Sequence, residues 1–324
     1  MYPAFMCIGA QKAGTTWLHT NLEMHPQIWM PPEKELHYFD EKRYQTGGIR
    51  QRIRGTRAVD NRWRQQVRRQ YRRHRHDGPA GISWTLRYLL GSPADHWYAS
   101  LFPERNTVTA GEVTPNYSVL PPERIAPIAD LIPDLKVILL LRNPLERAWS
   151  HAQMELVRSK PGKPSDEDFI EHFELPRSRN LTSYSRILDN WSAAYPEDQL
   201  FVGYLEDIHF WPTRFLASVC SFLGVDYPGS VVTAKVYEGG IRGFPTTLAR
   251  ALSQIYDDEL TLLADRLGGH AAGWRTMAEV LSGDTLETLE LAYPLWDSVL
   301  WDYVAPDGNA PRFNSGPAKG SVAS

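Results

Sequence analysis

Cysteine is scarce in this chain: Cys7 and Cys220 are the only two among 324 residues. One lies in an apolar N-terminal run and the other in a late helical stretch, so they form no disulfide framework and read as buried thiols of a reducing compartment. Long apolar runs are missing as well. No membrane-spanning helix is expected, and the N-terminus lacks the basic-then-apolar order of a secretory leader. No His/Cys cluster has zinc spacing and no segment repeats, so neither a metal nor a solenoid is expected. Together these absences point to a soluble, cytoplasmic protein. What is present is ample for a large core: 42% hydrophobic residues and eleven tryptophans.

Net charge is also low, at −3, but it is unevenly spread. Between Arg50 and Arg75 stand eleven arginines and one acid, Asp60, while the rest of the chain has 24 basic residues against 37 acidic ones. A basic block on an acidic body implies an anionic partner for that block. Within it, Trp63, Val67 and Tyr71 recur at four-residue intervals, the pattern of a basic amphipathic helix over Asn61 to Arg75. Such a helix can cover a core, recognise an anionic acceptor, or touch lipid or nucleic acid. No nucleic-acid motif accompanies it. We expect one α/β domain over residues 1–305, an arginine-rich insertion at about 45–92, and a flexible tail from Pro306 to Ser324.

The most informative stretch is the first. Tyr2 to Ile8 is short, apolar and strand-like, and it runs into Gly9-Ala10-Gln11-Lys12-Ala13-Gly14-Thr15-Thr16-Trp17, where a helix starts after Gly14. Glycines between a strand and a helix let backbone N–H groups close around an anion, and the helix N-terminus adds favourable partial charge. A nucleoside-triphosphate loop of the order G-x-x-x-x-G-K-[ST] carries its lysine after the second glycine. Thr15 stands there instead, and the loop's one lysine, Lys12, sits inside it. The loop is suited to a phosphate but lacks the group that serves a triphosphate.

Further along, Pro31 and Pro32 stop helix formation before Glu33-Lys34-Glu35-Leu36-His37-Tyr38-Phe39-Asp40. In an extended segment Glu35 and His37 share a side, a carboxylate and an imidazole that can serve a hydroxyl nucleophile as base and partner. A strand is expected at Thr107 to Ala110, a helix at Pro122 to Leu131, and a buried parallel strand at Lys136 to Leu141. After it, Asn143 is a good N-cap and Pro144 a good first helical residue. Arg142 therefore emerges at the carboxyl end of a central strand, where open α/β sheets bind ligands, with Ser150 and His151 on the following helix. Helices are expected at Tyr184 to Tyr195 and Glu206 to Leu223, a strand at Gln199 to Tyr204, and a flexible, basic loop at Gly239 to Gly243. The remainder reads as largely helical.

GAQKAGTT, EKELHYFD and LLLRNPLERAWSHAQME, in that order, resemble the nucleotide-binding and catalytic segments of sulfotransferases that use 3′-phosphoadenosine 5′-phosphosulfate (PAPS), in particular the heparan sulfate sulfotransferases and their bacterial relatives. WYASLFPE, GEVTPNYS and YSRILDNWSAAYPEDQLFVGYLEDI fit as well, so the resemblance spans most of residues 5 to 245. It implies a central parallel sheet flanked by helices, in a P-loop-like sulfotransferase fold. At matching positions it implies that Gln11, Lys12, Ala13, Gly14, Thr15, Thr16 and Trp17 hold the 5′-phosphosulfate end. It further implies that Arg142 and Ser150 hold the 3′-phosphate, with Arg242 and Gly243 in a looser match. Glu35 matches the catalytic base and His37 its neighbour; between these two the sequence leaves the base open. The resemblance implies transfer to a hydroxyl of a sugar, lipid or natural product, small or carrier-bound, without a metal and without nucleic acid. Val113 departs from the heparan enzymes, which carry a lysine there, and the basic insertion is not part of the family pattern. Two other readings remain at this stage: a P-loop kinase or NTPase, and a non-catalytic protein that docks an anionic partner through its basic helix.

Overall fold

The computed structural model describes residues 1–40, 53–56, 61, 64–65, 67–68, 78–91, 94–103, 108–159, 162–233, 243–283, 290–305 and 312–318. Its frame is a six-stranded sheet in the order β2-β3-β1-β4-β5-β8. The strands are β1 (Phe5–Gly9), β2 (Ile28–Trp29), β3 (Thr109–Val113), β4 (Lys136–Leu141), β5 (Leu200–Tyr204) and β8 (Gly316–Pro317). The first five pair in parallel, and β8 adds antiparallel to β5. Five consecutive residues of β4 are buried, so both faces of the sheet are covered there, as its unbroken Val-Ile-Leu-Leu-Leu run requires. Gly111 sits opposite Phe5 in the β1/β3 register. A Cβ at Gly111 would lie 2.3 Å from the Phe5 ring, which excludes any larger residue.

Helices return the chain between parallel strands. Thr15–Glu23 follows β1, and Pro122–Leu131 precedes β4 with the bounds expected of it. Pro144–Ser159 follows β4, and the Leu145 N–H donates to Asn143 Oδ1 at 3.0 Å, the cap expected of that asparagine. From β1 the chain turns towards β2, and from β4 it turns the opposite way, towards β5. The crevice between the carboxyl ends of β1 and β4 is thus the topological switch point of the sheet.

Four expectations change. The helix expected over Glu206 to Leu223 is two, Leu205–Phe210 and Pro212–Leu223. Pro212 forces Trp211 out of helical geometry, to φ −136° and ψ 57°. The helix beginning at Tyr184 ends at Ser192 rather than Tyr195. Gly243 opens a strand, β6 (Gly243–Pro245), paired with β7 (Glu290–Ala292). Within the expected tail, Gly316–Pro317 form β8 beside β5, while residues 306–311 and 319–324 lie outside the described residues. The buried Asp207 carboxylate accepts from Asn314 N–H (3.0 Å), Ser315 N–H (2.7 Å) and Ser315 Oγ (2.6 Å), and its other oxygen meets His270 Nε2 at 2.7 Å. Most of the amphipathic helix expected at Asn61 to Arg75 lies outside the described residues, as does Arg242. Both cysteines are buried and free. No described helix is long and apolar enough to cross a membrane.

Asp207 clips the last strand to the sheet, so Asp207→Ala should cost about 3 kcal/mol, the scale for a buried, fully hydrogen-bonded charge. Hydrogen exchange should then accelerate at the β5 amides that face β8. Unchanged protection there would show that the clip does not hold the strand.

Candidate functional site

Three segments leave the same edge of the sheet: residues 10–14 after β1, 114–118 after β3 and 142–144 after β4. The first is an anion-sized turn. Lys12 has φ +71° and Gly14 φ +91°, so the chain doubles back before Thr15 begins the helix. At Gly14 a side chain would also crowd Ile208 and Leu205, whose methyl carbons stand 3.0 Å from a built Cβ. Ala13 and Thr15 are buried, and Trp17 turns into the core, where its ring meets Phe215 edge-on at 5.8 Å. Trp17 thus supports the loop from beneath.

Arg142 meets this loop directly. Its guanidinium is buried and donates to the Lys12 carbonyl (3.2 Å), to Glu146 Oε2 (3.3 Å) and to the Tyr293 hydroxyl (2.7 Å). Its carbon also lies 5.0 Å from the Tyr293 ring centroid. Burial acts to lower its pKa, but Tyr293 and Glu146 more than reverse that, so Arg142 stays charged. Burial raises the pKa of the Tyr293 hydroxyl, while Arg142 and Ser150, two turns along the helix, hold it back. Glu146 is held in turn by the Leu295 N–H at 2.7 Å. Gly243 pairs with Ala292, next to Tyr293, and Phe244 stacks on Trp149 with centroids 5.0 Å apart. The strands β6 and β7 thereby bring a tyrosine to the two groups suited to a phosphate.

Of the short extended piece or turn that the Leu/Tyr/Phe run suggests for Glu33 to Asp40, the structure shows bends and turns. Glu35 has φ +64° and His37 φ +55°, left-handed conformations that non-glycine residues seldom hold. The surroundings impose them. The Glu35 N–H donates to the Val113 carbonyl (3.2 Å), the Tyr38 N–H to the Tyr117 hydroxyl (2.7 Å), and Arg124 to the Phe39 carbonyl (2.9 Å). The Tyr38 ring stacks on Tyr98 at 4.4 Å. Glu35 and His37 still come together, with His37 Nε2 3.4 Å from Glu35 Oε2. The other ring nitrogen, Nδ1, lies 2.6 Å from Asp40 Oδ2. The imidazole is thus flanked by a carboxylate at each ring nitrogen.

Two links tie this acid–imidazole group to the loop. Lys34 Nζ donates to Thr16 Oγ1 at 2.8 Å. Asn116 donates to Asp40 Oδ2 at 2.7 Å and accepts from Gln11 Nε2 at 3.5 Å. Burial lowers the Lys34 pKa, while Glu35 and Cys7 draw it back up. Lys12 Nζ reaches Met154 Sδ at 4.0 Å, on the helix after β4, whereas Lys34 is held at a hydroxyl of the first helix.

Sequence reasoning did not single out Lys34, Asp40, Asn116 or Tyr293. Lys34 adjoins Glu35, and strict alternation would turn it to the opposite face; only the left-handed backbone brings both to one site. Asn116 lies in the GEVTPNYS stretch and carried no signal without Asp40 beside it. Tyr293 arrives from 151 residues beyond Arg142, a pairing no local pattern shows.

The sequence model of the "Sulfotransferase family" matches residues 3–229. Human bifunctional heparan sulfate N-deacetylase/N-sulfotransferase 2 is 23% identical over 69% of this chain and 22% of its own length. Membrane-associated sulfotransferase kil1 of Dictyostelium discoideum is 27% identical over 52% of this chain and 27% of its own. This chain thus spans about a fifth to a quarter of the length of these curated relatives. Among solved structures, a sulfotransferase from Alicyclobacillus acidocaldarius is similar in fold, with a TM-score of 0.57 and 24% identity over 85% of this chain and 99% of that one.

Beneath the site, Glu112 is fully buried, accepting from the Tyr98 hydroxyl and from Thr114 Oγ1 at 2.7 Å. Burial pushes its carboxyl up to about 7, against the pull of those two hydrogen bonds. A raised folded-state pKa means that the native protein holds this proton more tightly than the unfolded chain. Its contribution is full below about pH 4.5 and is lost as pH rises through 7, a change of roughly 3 kcal/mol at about 1.4 kcal/mol per unit. Glu112→Gln should flatten the fall in thermal stability between those pH values; an unaltered slope would assign it to other groups.

Proposed function

Because this chain belongs to the sulfotransferase family, we propose that it transfers a sulfuryl group from PAPS to a hydroxyl of a sugar, lipid or natural-product acceptor. The observation that carries the reading is the meeting of Arg142 with the loop at Lys12, on the switch point of the sheet. A nucleotide bearing phosphates at both ends needs two anion-binding groups within one crevice. The helix start at Thr15 and Thr16 is one, and Arg142 with Ser150 is the other. The glycine turn, the hydroxyls and the unspent backbone N–H groups fit the phosphosulfate end. A guanidinium beside a serine hydroxyl fits a 3′-phosphate.

PAPS, when bound, supplies a sulfuryl group on an oxygen that gains negative charge as it departs. Lys34 puts positive charge on Thr16 and Lys12 carries another on the loop itself, where such a developing charge is stabilised more than the ground state. The acceptor hydroxyl loses its proton as it attacks, and Glu35 receives it. His37, held by Asp40, orients Glu35 through Nε2. Both lie partly exposed, with side-chain exposures of 41% for Glu35 and 24% for His37, so an acceptor can reach them. Tyr293 now takes the donors of Arg142 and Ser150 that a phosphate would use, and its hydroxyl stands in for an anion oxygen there. The basic block from Arg50 to Arg75 follows the base segment in the chain and suits an anionic or carrier-bound acceptor.

Purified protein should bind adenosine 3′,5′-bisphosphate far more tightly than ADP, and Ser150→Ala should narrow that preference by about tenfold, the worth of one hydrogen bond to a charged group. Equal affinity for the two nucleotides would overturn the assignment of the 3′-phosphate pocket. In assays with labelled PAPS and an acceptor mixture, Lys12→Ala and Glu35→Gln should each abolish transfer. Glu35→Gln should leave nucleotide binding close to wild type. Near-normal turnover of Glu35→Gln would move the base to His37, and transfer only to amines would replace the hydroxyl reading.

A further inference from the structure

Two imidazoles and a carboxylate converge among residues to which the proposed reaction gives no role. His151 and Glu155 are one helical turn apart on Pro144–Ser159 and share a face. His172 comes from the neighbouring helix Asp166–Glu174. His172 Nε2 lies 3.1 Å from Glu155 Oε2, His151 Nε2 lies 3.4 Å from Glu155 Oε1, and one donor atom from each residue falls within 4.8 Å of the others. His151 is 1% exposed and His172 5% exposed. Neither ring nitrogen of His151 has a hydrogen-bond partner, and neither does His172 Nδ1. A buried imidazole with both nitrogens unpaired is rare, because each lost water contact goes unreplaced.

We propose that His151, Glu155 and His172 bind a divalent transition-metal ion of the zinc type, joining the two helices. Donors around a tetrahedral ion at 2.0–2.1 Å are about 3.4 Å apart, close to the separations found at Glu155. Nitrogen donors favour zinc and its neighbours over magnesium or calcium. Arg177 now pairs with Glu155 Oε1 at 3.3 Å; its side chain is 61% exposed, so it can swing into solvent when an ion takes over its counter-charge. The side chain of Glu155 is 31% exposed and marks the way in, with a fourth ligand position left for water.

The test uses full-length protein stripped with a chelator and titrated with Co²⁺, whose visible absorption reports coordination geometry, followed by Zn²⁺ competition. One Co²⁺ per chain with tetrahedral bands, displaced by one Zn²⁺, is expected, together with a rise in melting temperature on adding Zn²⁺. His172→Gln and Glu155→Gln should each weaken Co²⁺ binding at least about tenfold while the metal-free variants still melt cooperatively. If His172→Gln does not fold, the partly exposed Glu155→Gln decides the matter. No saturable Co²⁺ uptake, or uptake unchanged by Glu155→Gln, overturns the proposal.

Discussion

The buried charge of Arg142 is the constraint on which the rest of the site depends. A guanidinium this deep is stable only if its donors are met, and they are met by one neighbour on the next helix, the Glu146 carboxylate, and two distant parts of the chain, the loop carbonyl at Lys12 and the hydroxyl of Tyr293. Each partner is thereby fixed relative to the others. The loop after β1, the helix after β4 and the strand pair β6/β7 share one anchor, which lies at the switch point where a parallel sheet opens. Geometry for a ligand with two charged ends follows from the needs of a single side chain.

The acid–imidazole segment shows the opposite economy. Its backbone is held in conformations that β-branched or bulky residues would resist, and it is gripped from outside by Val113, Tyr117 and Arg124, with Tyr98 stacked on Tyr38. The GEVTPNYS stretch is therefore a scaffold for Glu35 and His37, and the missing lysine at Val113 leaves that scaffolding role untouched. Asn116 joins the scaffold to the loop through Gln11 and Asp40, so displacement of the loop is felt at the base.

Much of the frame was legible because its signals are local. The apolar run at Lys136 to Leu141, the Asn143-Pro144 helix start and the strand–glycine–helix opening each depend on a few adjacent residues. The site was legible where a motif is contiguous, as in GAQKAGTT, and illegible where contacts cross the chain. Lys34 was hidden by a backbone that breaks alternation, and Tyr293 by its long separation from Arg142. The split at Trp211 could have been read from Pro212 itself. His151 and Glu155 stood in plain sight at helical spacing, but His172 lies beyond a loop, and the trio falls outside the short-spaced patterns that mark zinc sites in sequence. The final strand defeated compositional reasoning: Gly, Pro, Ser and Asn look like a tail, yet Asp207 gathers the N–H groups of Asn314 and Ser315.

That last strand has a bearing on how the molecule is made. Translation runs from the amino end, so β1, β3, β4 and β5 all emerge and can assemble while residues 312–318 are still inside the ribosome. Throughout that interval the outer edge of β5 stands bare, a template onto which a neighbouring nascent chain could add itself. Only when Ser315 reaches Asp207 is the vacancy filled from within. The protein therefore covers that margin of its sheet with residues made more than a hundred positions after β5.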